Sequence, residues 1–273
     1  MKKVNKKIVF FGGGKMAEGI IRGLISNGAI DAENIAVQEL IPARCAYLSE
    51  TYHVDAKTDA AKEIQEADMV LVGVNPPQVP SVTAALKPIL NQNTIVLSYA
   101  CGVEIKVFAD QLGSDKKIVR IVPNTLSLSG NGSSAVHVNE NLTEEEKEFV
   151  DDLLQGLGKV LYLEESKFNN FQAFGCTGPL WVYKFTEAMI DAGIYVGFTR
   201  EVARELTIEN MLGVAKVLQL NGKSPTAVIE ELTSPGGVTI EALRSLQENG
   251  SYMTPTIASM EVAVKKCAAV AEK

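Results

Sequence analysis

The chain has 273 residues, 46% hydrophobic and 22% charged, enough for two ordinary domains with filled cores and unlike disordered or collagen-like sequence. Lys and Arg number 26 against 33 Asp and Glu, a net charge of −7, and no basic block stands out, which argues against nucleic acid or an anionic membrane as partner. A small anionic ligand is not excluded, because a helix start holds one through backbone N–H groups alone.

The N-terminus is basic but runs straight into Ile8-Val9-Phe10-Phe11, four apolar residues where a secretory signal needs ~7–15. No apolar run approaches the ~18 residues of a membrane span. Four scattered cysteines (Cys45, Cys101, Cys176, Cys267), no CxxC pair and only two histidines (His53, His137) predict no metal site. Such thiols fit a reducing cytoplasm.

Lys7 to Phe11 predicts a first strand, and a helix follows from about Gly14 to Ser26. Ile35 to Val37 is the next strand, with a helix around Pro42 to Thr51. Asp68 to Val74 is a continuous apolar run of the kind a strand buried on both faces needs, and Thr94 to Ser98 and Ile118 to Val122 repeat it. Strand and helix in alternation predict a parallel sheet covered on both sides. Thr143-Glu144-Glu145-Glu146 opens another helix as a capping box, its carboxylates at the positive helix end. The bland reading of that acidic run, a solvated helix start, is preferred to a metal or partner site.

Beyond Glu164 strand signals nearly vanish. Gly178 to Ala192 places Trp181, Val182, Phe185, Ala188 and Met189 on one helical face. Thr199 caps a helix to about Leu220, and Pro225 and Pro255 sit where a first helical turn accepts proline. The expected organisation is an α/β domain over residues 1–164 followed by an all-helical domain over residues 165–273.

Phe11-Gly12-Gly13-Gly14-Lys15-Met16-Ala17 lies between the first strand and first helix. Gly12-x-Gly14-x-x-Ala17 is the Rossmann-type dinucleotide fingerprint: a tight turn, close approach to a pyrophosphate, then close helix packing. A glycine triplet also makes purely structural turns. The strand before it and the helix after it favour the nucleotide. Glu39, at the end of the second strand, is placed to accept from the ribose hydroxyls and to repel a 2′-phosphate, which points to NADH. Its alternative is an ordinary exposed strand-end carboxylate. A second motif, Thr233-Ser234-Pro235-Gly236-Gly237-Val238-Thr239, precedes a helix ending near Asn249-Gly250. Its glycines expose N–H groups suited to a carboxylate; alternatively Ser234 or Thr239 merely caps the helix.

With these motifs the chain resembles the pyrroline-5-carboxylate reductase family. Phe11 to Ala17, Val72-Gly73-Val74-Asn75-Pro76-Pro77-Gln78, Arg120 to Thr125, Thr177-Gly178-Pro179 and Thr233 to Ile240 occur in the family's order. The resemblance implies a Rossmann-type doubly wound domain, then an all-α dimerisation domain, in homodimers that often build rings. It implies reduction of the cyclic imine 1-pyrroline-5-carboxylate to L-proline by NAD(P)H. Gly236, Gly237, Val238 and Thr239 would hold the substrate carboxylate, with the Thr239 hydroxyl as catalytic partner of the imine nitrogen. Asn124 would lie near the nicotinamide and substrate. Phe11 to Ala17, Glu39, Gly73, Val74, Asn75, Pro76, Ala100 and Cys101 would meet the cofactor.

Several positions depart from the family. Asn75 stands where lysine is usual, and Ala60 where asparagine often helps hold the adenosine ribose or its phosphate; Ala60 adds to the lean toward NADH. Leu180 and Trp181 replace Ala and Tyr, which leaves room for another cyclic imine or a carbonyl substrate on the same scaffold. An inactive nucleotide-binding regulator would show damage at Gly236, Gly237 or Thr239, and all three are intact. A β-hydroxyacid dehydrogenase would need an asparagine four residues after Lys184, where Ala188 stands. A thiol enzyme built on Cys176 would lack a nearby histidine base.

Overall fold

The computed structural model describes residues 2–249 and 252–271. By its contacts the chain forms one compact unit running to Cys176, joined by residues from Val264 onward, and a second unit of Thr177–Ala263.

The first unit is built on an eight-stranded sheet of order β3-β2-β1-β4-β5-β6-β7-β8. Its strands are β1 (Ile8–Phe11), β2 (Ile35–Gln38), β3 (Asp55–Lys57), β4 (Met69–Val72), β5 (Ile95–Ser98), β6 (Lys117–Pro123), β7 (Gly132–Val138) and β8 (Gly158–Tyr162). Strands β1 to β6 are parallel, as the apolar runs predict. The all-parallel expectation fails at one joint, because β7 pairs antiparallel with β6 and then carries β8 parallel to itself. Helices α1 (Lys15–Ser26), α2 (Pro42–Tyr52), α3 (Ala61–Gln65), α4 (Val79–Leu86), α5 (Ile105–Leu112) and α6 (Glu144–Gln155) complete the layers.

Alternation along the central strands sorts the core onto two faces. Phe10, Leu71, Leu97 and Val119 join α1 residues Ile20 and Leu24 and α6 residues Val150 and Leu153 on one side. Val9, Val70, Val72 and Val96 meet α5 residues Phe108 and Leu112 on the other. The capping box of α6 forms as expected, with Thr143 Oγ1 accepting from the Glu146 N–H at 3.3 Å and Glu146 Oε2 from the Thr143 N–H at 2.9 Å. Glu146 also pairs with Lys117, so that carboxylate is structural.

The sheet unit continues past residue 164, where the sequence reading divides the chain. A short α7 (Phe168–Phe171) and a π turn over Gln172–Cys176 stay with it. The reason is burial: Phe168 and Phe171 pack against Ala135 of β7. Thr177 then starts the helical unit.

That unit carries α8 (Gly178–Tyr195), α9 (Arg200–Asn221), α10 (Pro225–Leu232), α11 (Val238–Glu248) and the first part of α12 (Met253–Ala271). Gly193 lets α8 lie directly on Ala203 of α9, since a Cβ there would meet the alanine methyl at 2.7 Å. Thr199 caps α9 through the Val202 N–H at 3.3 Å, as predicted. The apolar face predicted for α8 is only partly buried: Trp181 and Met189 are half-buried, while Val182, Phe185 and Ala188 are exposed, as are Leu180 and Tyr183 beside them.

Candidate functional site

Parallel strands deliver their following loops to one edge of the sheet, and in a doubly wound fold ligands bind there. At that edge β1 ends in Phe11, and Gly12 turns the chain with φ +107° while its N–H donates to the Gln38 carbonyl at 2.8 Å. Gly14 is the N-cap of α1 and no side chain caps the helix. The first-turn N–H groups of Lys15, Met16 and Ala17 are therefore left to whatever lies beyond the helix start. Met16 is exposed there and Ala17 is buried against the sheet.

Glu39 does not simply project from its strand end. Its Oε2 accepts from the Gly13 N–H at 2.9 Å and its Oε1 from the Ile41 N–H at 3.0 Å. Gln38 Oε1 reaches the Ala60 N–H at 3.2 Å, and Ala60 itself is fully buried.

The loop after β4 is shaped by a ring. A Cβ on Gly73 would sit 1.7 Å from Cε2 of Tyr99, the residue that follows β5. Val74 is half-buried, and the Asn75 to Gln78 turn is closed by Gln78 Oε1 accepting from the Asn75 N–H at 3.2 Å. Ala100 is buried beside it, while Cys101 is exposed and its sulfur accepts from Gln172 Nε2 at 3.2 Å.

Asn124 is held by the protein's own backbone. Its Oδ1 accepts from the Leu126 and Ser133 N–H groups at 3.2 and 3.1 Å, and its Nδ2 donates to the Gly175 carbonyl at 3.0 Å. The side chain ties the end of β6 to β7 and the π turn, leaving one amide hydrogen for anything else. Cys176 lies near the Pro123 carbonyl, and burial, with the charges of Cys267 and Cys101, pushes its thiol up to about 11. It is a packing residue.

The second glycine motif belongs to the helical unit. Gly236 takes a left-handed φ of +69°, and Gly237 is the N-cap of α11. The capping alternative for Ser234 and Thr239 is not realised: α11 has no side-chain cap. Gly236, Val238 and Thr239 are exposed, with the start of α11 open. Lys184 is an exposed partner of Glu187.

The comparisons agree with both halves. Residues 165–270 match the family model for pyrroline-5-carboxylate reductase dimerisation, and residues 7–102 match that for coenzyme F420-dependent NADP oxidoreductase. Pyrroline-5-carboxylate reductase of Escherichia coli (strain K12) is 32% identical over 99% of this chain and 98% of its own length. The chain belongs to the pyrroline-5-carboxylate reductase family. Its relative from Vibrio alginolyticus is 34% identical over 90% of each chain. The reductase structure from Coxiella burnetii superposes with a TM-score of 0.86 at 29% identity, covering 98% of this chain and 99% of that one. That of Plasmodium falciparum pyrroline carboxylate reductase, solved with NADP bound, gives 0.83 at 26% identity over 99% and 100%.

Sequence reasoning missed the partners of the glycine turn. Arg44 Nε donates to the Gly13 carbonyl at 2.7 Å, and its Nη2 pairs with Glu18 at 2.6 Å. No short motif links residues 18, 39 and 44.

Proposed function

We propose that this protein reduces 1-pyrroline-5-carboxylate to L-proline with a nicotinamide cofactor. The observation that carries the proposal is full-length similarity to enzymes of that name, covering 99% of this chain. Bound NAD(P)H supplies the hydride taken up by the imine carbon. The protein's work is to position the two reactants and exclude competing geometry.

The glycine turn and the open start of α1 fit the cofactor pyrophosphate, and Glu39 its ribose. Phe11, Gly73 to Pro76, Ala100 and Cys101 border the same sheet edge. In the helical unit, the N–H groups of Gly237, Val238 and Thr239 hold the substrate carboxylate at the start of α11. The Thr239 hydroxyl then hydrogen-bonds the ring nitrogen as electrons arrive. Thr239→Ala is expected to lower turnover roughly 10²-fold, the scale of one transition-state hydrogen bond, with NADH affinity nearly unchanged. Wild-type turnover in that variant removes Thr239 from the mechanism.

The cofactor is NADH in preference to NADPH. Glu39 places its carboxylate at the ribose end, and buried Ala60 offers no polar atom for a 2′-phosphate. Glu39→Gln keeps an acceptor for the Gly13 N–H while removing the charge, so the NADH-to-NADPH ratio of kcat/KM should fall by about tenfold, the worth of ~1.4 kcal/mol. An unchanged ratio refutes the assignment.

The assembly is a homodimer, with rings of dimers as the larger form, in the cytoplasm. Leu206, Val214, Val217 and Leu220 of α9 are exposed along with Leu180, Val182, Tyr183 and Phe185 of α8. An apolar surface of that extent on one chain fits burial against a second copy. The deciding experiment mixes the purified protein with pyrroline-5-carboxylate and follows NADH and NADPH absorbance separately. Oxidation of NADH is the expected result. No oxidation of either cofactor sinks the proposal.

A further inference from the structure

Gly13 is held by two side chains of opposite charge. Its N–H donates to Glu39 Oε2 at 2.9 Å, and its carbonyl accepts from Arg44 Nε at 2.7 Å. The second contact controls more than the carbonyl. The Gly13 C=O and the Gly14 N–H belong to one planar peptide and point in opposite directions. A donor that fixes the carbonyl therefore aims the Gly14 N–H away from Arg44, at the open start of α1. Gly14 N–H has no acceptor among the described residues, so it is a free donor beside those of the first helical turn. Between two glycines this peptide has little else to stop it rotating.

Arg44 is itself locked. Its Nη2 donates to Glu18 Oε2 at 2.6 Å, and its guanidinium carbon lies 5.0 Å from the centre of the Tyr47 ring. Glu18 Oε1 accepts from the hydroxyls of Tyr47 and Tyr52 at 2.9 and 2.8 Å. Burial pushes the Glu18 carboxyl up, but hydrogen bonds from Arg44, Tyr52 and Tyr47 outweigh it and hold the group below the usual carboxylate range. Glu18 is therefore charged at neutral pH, and the Arg44–Glu18 pair is only a quarter or less exposed at either end. A fork that serves a carbonyl with one nitrogen and a carboxylate with another needs guanidinium geometry, which lysine lacks.

We infer that Arg44 is a positioning residue for the dinucleotide, aiming the Gly14 N–H at the cofactor phosphates without touching the cofactor. The inference rests on the reading that the glycine turn holds the cofactor. Its charge is offset by Glu18 and Glu39, so its contribution is geometric and depends on the fork.

The test titrates full-length protein with NADH and measures steady-state kinetics for wild type, Arg44→Ala, Arg44→Lys and Gly14→Asp. Arg44→Ala should weaken NADH binding about tenfold or more, the scale of a hydrogen bond to a charged group. kcat at saturating NADH and the KM for pyrroline-5-carboxylate should stay near wild type. Arg44→Lys should recover only part of the affinity, which separates the fork from simple charge. Gly14→Asp, which sets a carboxylate at the start of α1, tests the underlying reading. If it loses NADH while Arg44→Ala and Arg44→Lys bind like wild type, the positioning role is overturned and the turn stands as the cofactor site. If Gly14→Asp binds NADH normally, the reading falls and the inference with it. Equal losses in both substrates' KM, in kcat and in thermal stability for Arg44→Lys would mark Arg44 as merely structural.

Discussion

Arg120→Ala is expected to destabilise the sheet unit by about 3–5 kcal/mol, the usual cost of removing one member of a buried ion pair. Arg120 is 4% exposed in the middle of β6, a central strand where an arginine needs a reason. Its Nη1 donates to Glu165 Oε1 at 2.8 Å, and its guanidinium carbon lies 4.5 Å from the centre of the Phe168 ring. The same Glu165 oxygen accepts from the Ile105 N–H at the start of α5, at 3.0 Å. One carboxylate thus joins β6, α5 and the segment that leads into α7. Alanine would strand Glu165 with half its partners and remove the surface on which Phe168 rests. Urea unfolding should show a lower midpoint with an unchanged slope. The double variant Arg120→Met with Glu165→Gln should recover most of the loss. It keeps apolar volume beneath Phe168 and an acceptor for the Ile105 N–H while removing both charges. A loss below about 1 kcal/mol for Arg120→Ala would place the pair among ordinary surface contacts.

Arg120 also shows where the sequence stops being informative. It stands in one of the motifs that carry the family resemblance, yet nothing in the motif names Glu165, 45 residues on. Strands β1, β4, β5 and β6 were legible because both faces are buried, which writes an uninterrupted apolar run. β3, β7 and β8 were not. β3 is three residues of Asp-Ala-Lys at the sheet edge, and β7 is Gly-Ser-Ser-Ala-Val-His-Val, with small and polar residues at its start. β8 is the opposite edge and leaves Lys159, Leu161 and Tyr162 exposed. The antiparallel joint between β6 and β7 was hidden for the same reason. The boundary near residue 164 follows the end of strand-like sequence. Packing divides the chain later because Phe168 and Phe171 bury against β7. At the candidate site both glycine motifs were readable from spacing, since their backbone conformation is written into residue type. The partners of those backbones were not. Spacing offers Glu39 as a ribose acceptor or as an exposed strand-end carboxylate, and says nothing of its hold on Gly13. The family resemblance places Asn124 near the ligand but does not reveal that its oxygen is taken twice by the backbone.

Gly73→Ala is expected to be strongly damaging for the addition of one methyl group. The backbone of Gly73 does not demand glycine by a left-handed φ; what demands it is Tyr99. The added Cβ would lie 1.7, 2.0 and 2.5 Å from three ring carbons, far inside contact distance. The ring cannot swing aside cheaply, because it packs against the core formed by Phe10, Leu71, Leu97 and the α1 residues. The Tyr99 backbone is also fixed, its N–H donating to the Val72 carbonyl at 2.9 Å. Either the loop from Gly73 to Gln78 must lift or the core must open, and overpacking of this kind costs about 1–3 kcal/mol or more. If the loop lifts, the same variant should weaken NADH binding, since the loop is part of the proposed cofactor edge. Two double variants separate ring from hydroxyl. The Tyr99 hydroxyl is buried without a partner among the described residues, and burial pushes the phenol above its usual range, so it stays protonated. Gly73→Ala with Tyr99→Phe keeps the overlapping carbons and should remain as poor as Gly73→Ala, or gain only the ~1 kcal/mol of a relieved unpaired hydroxyl. Gly73→Ala with Tyr99→Leu withdraws those carbons and should recover stability and NADH affinity together, a coupling of about 0.5–3 kcal/mol between the two sites. Additive effects in that cycle, or a neutral Gly73→Ala, would show that the ring does not shape the loop.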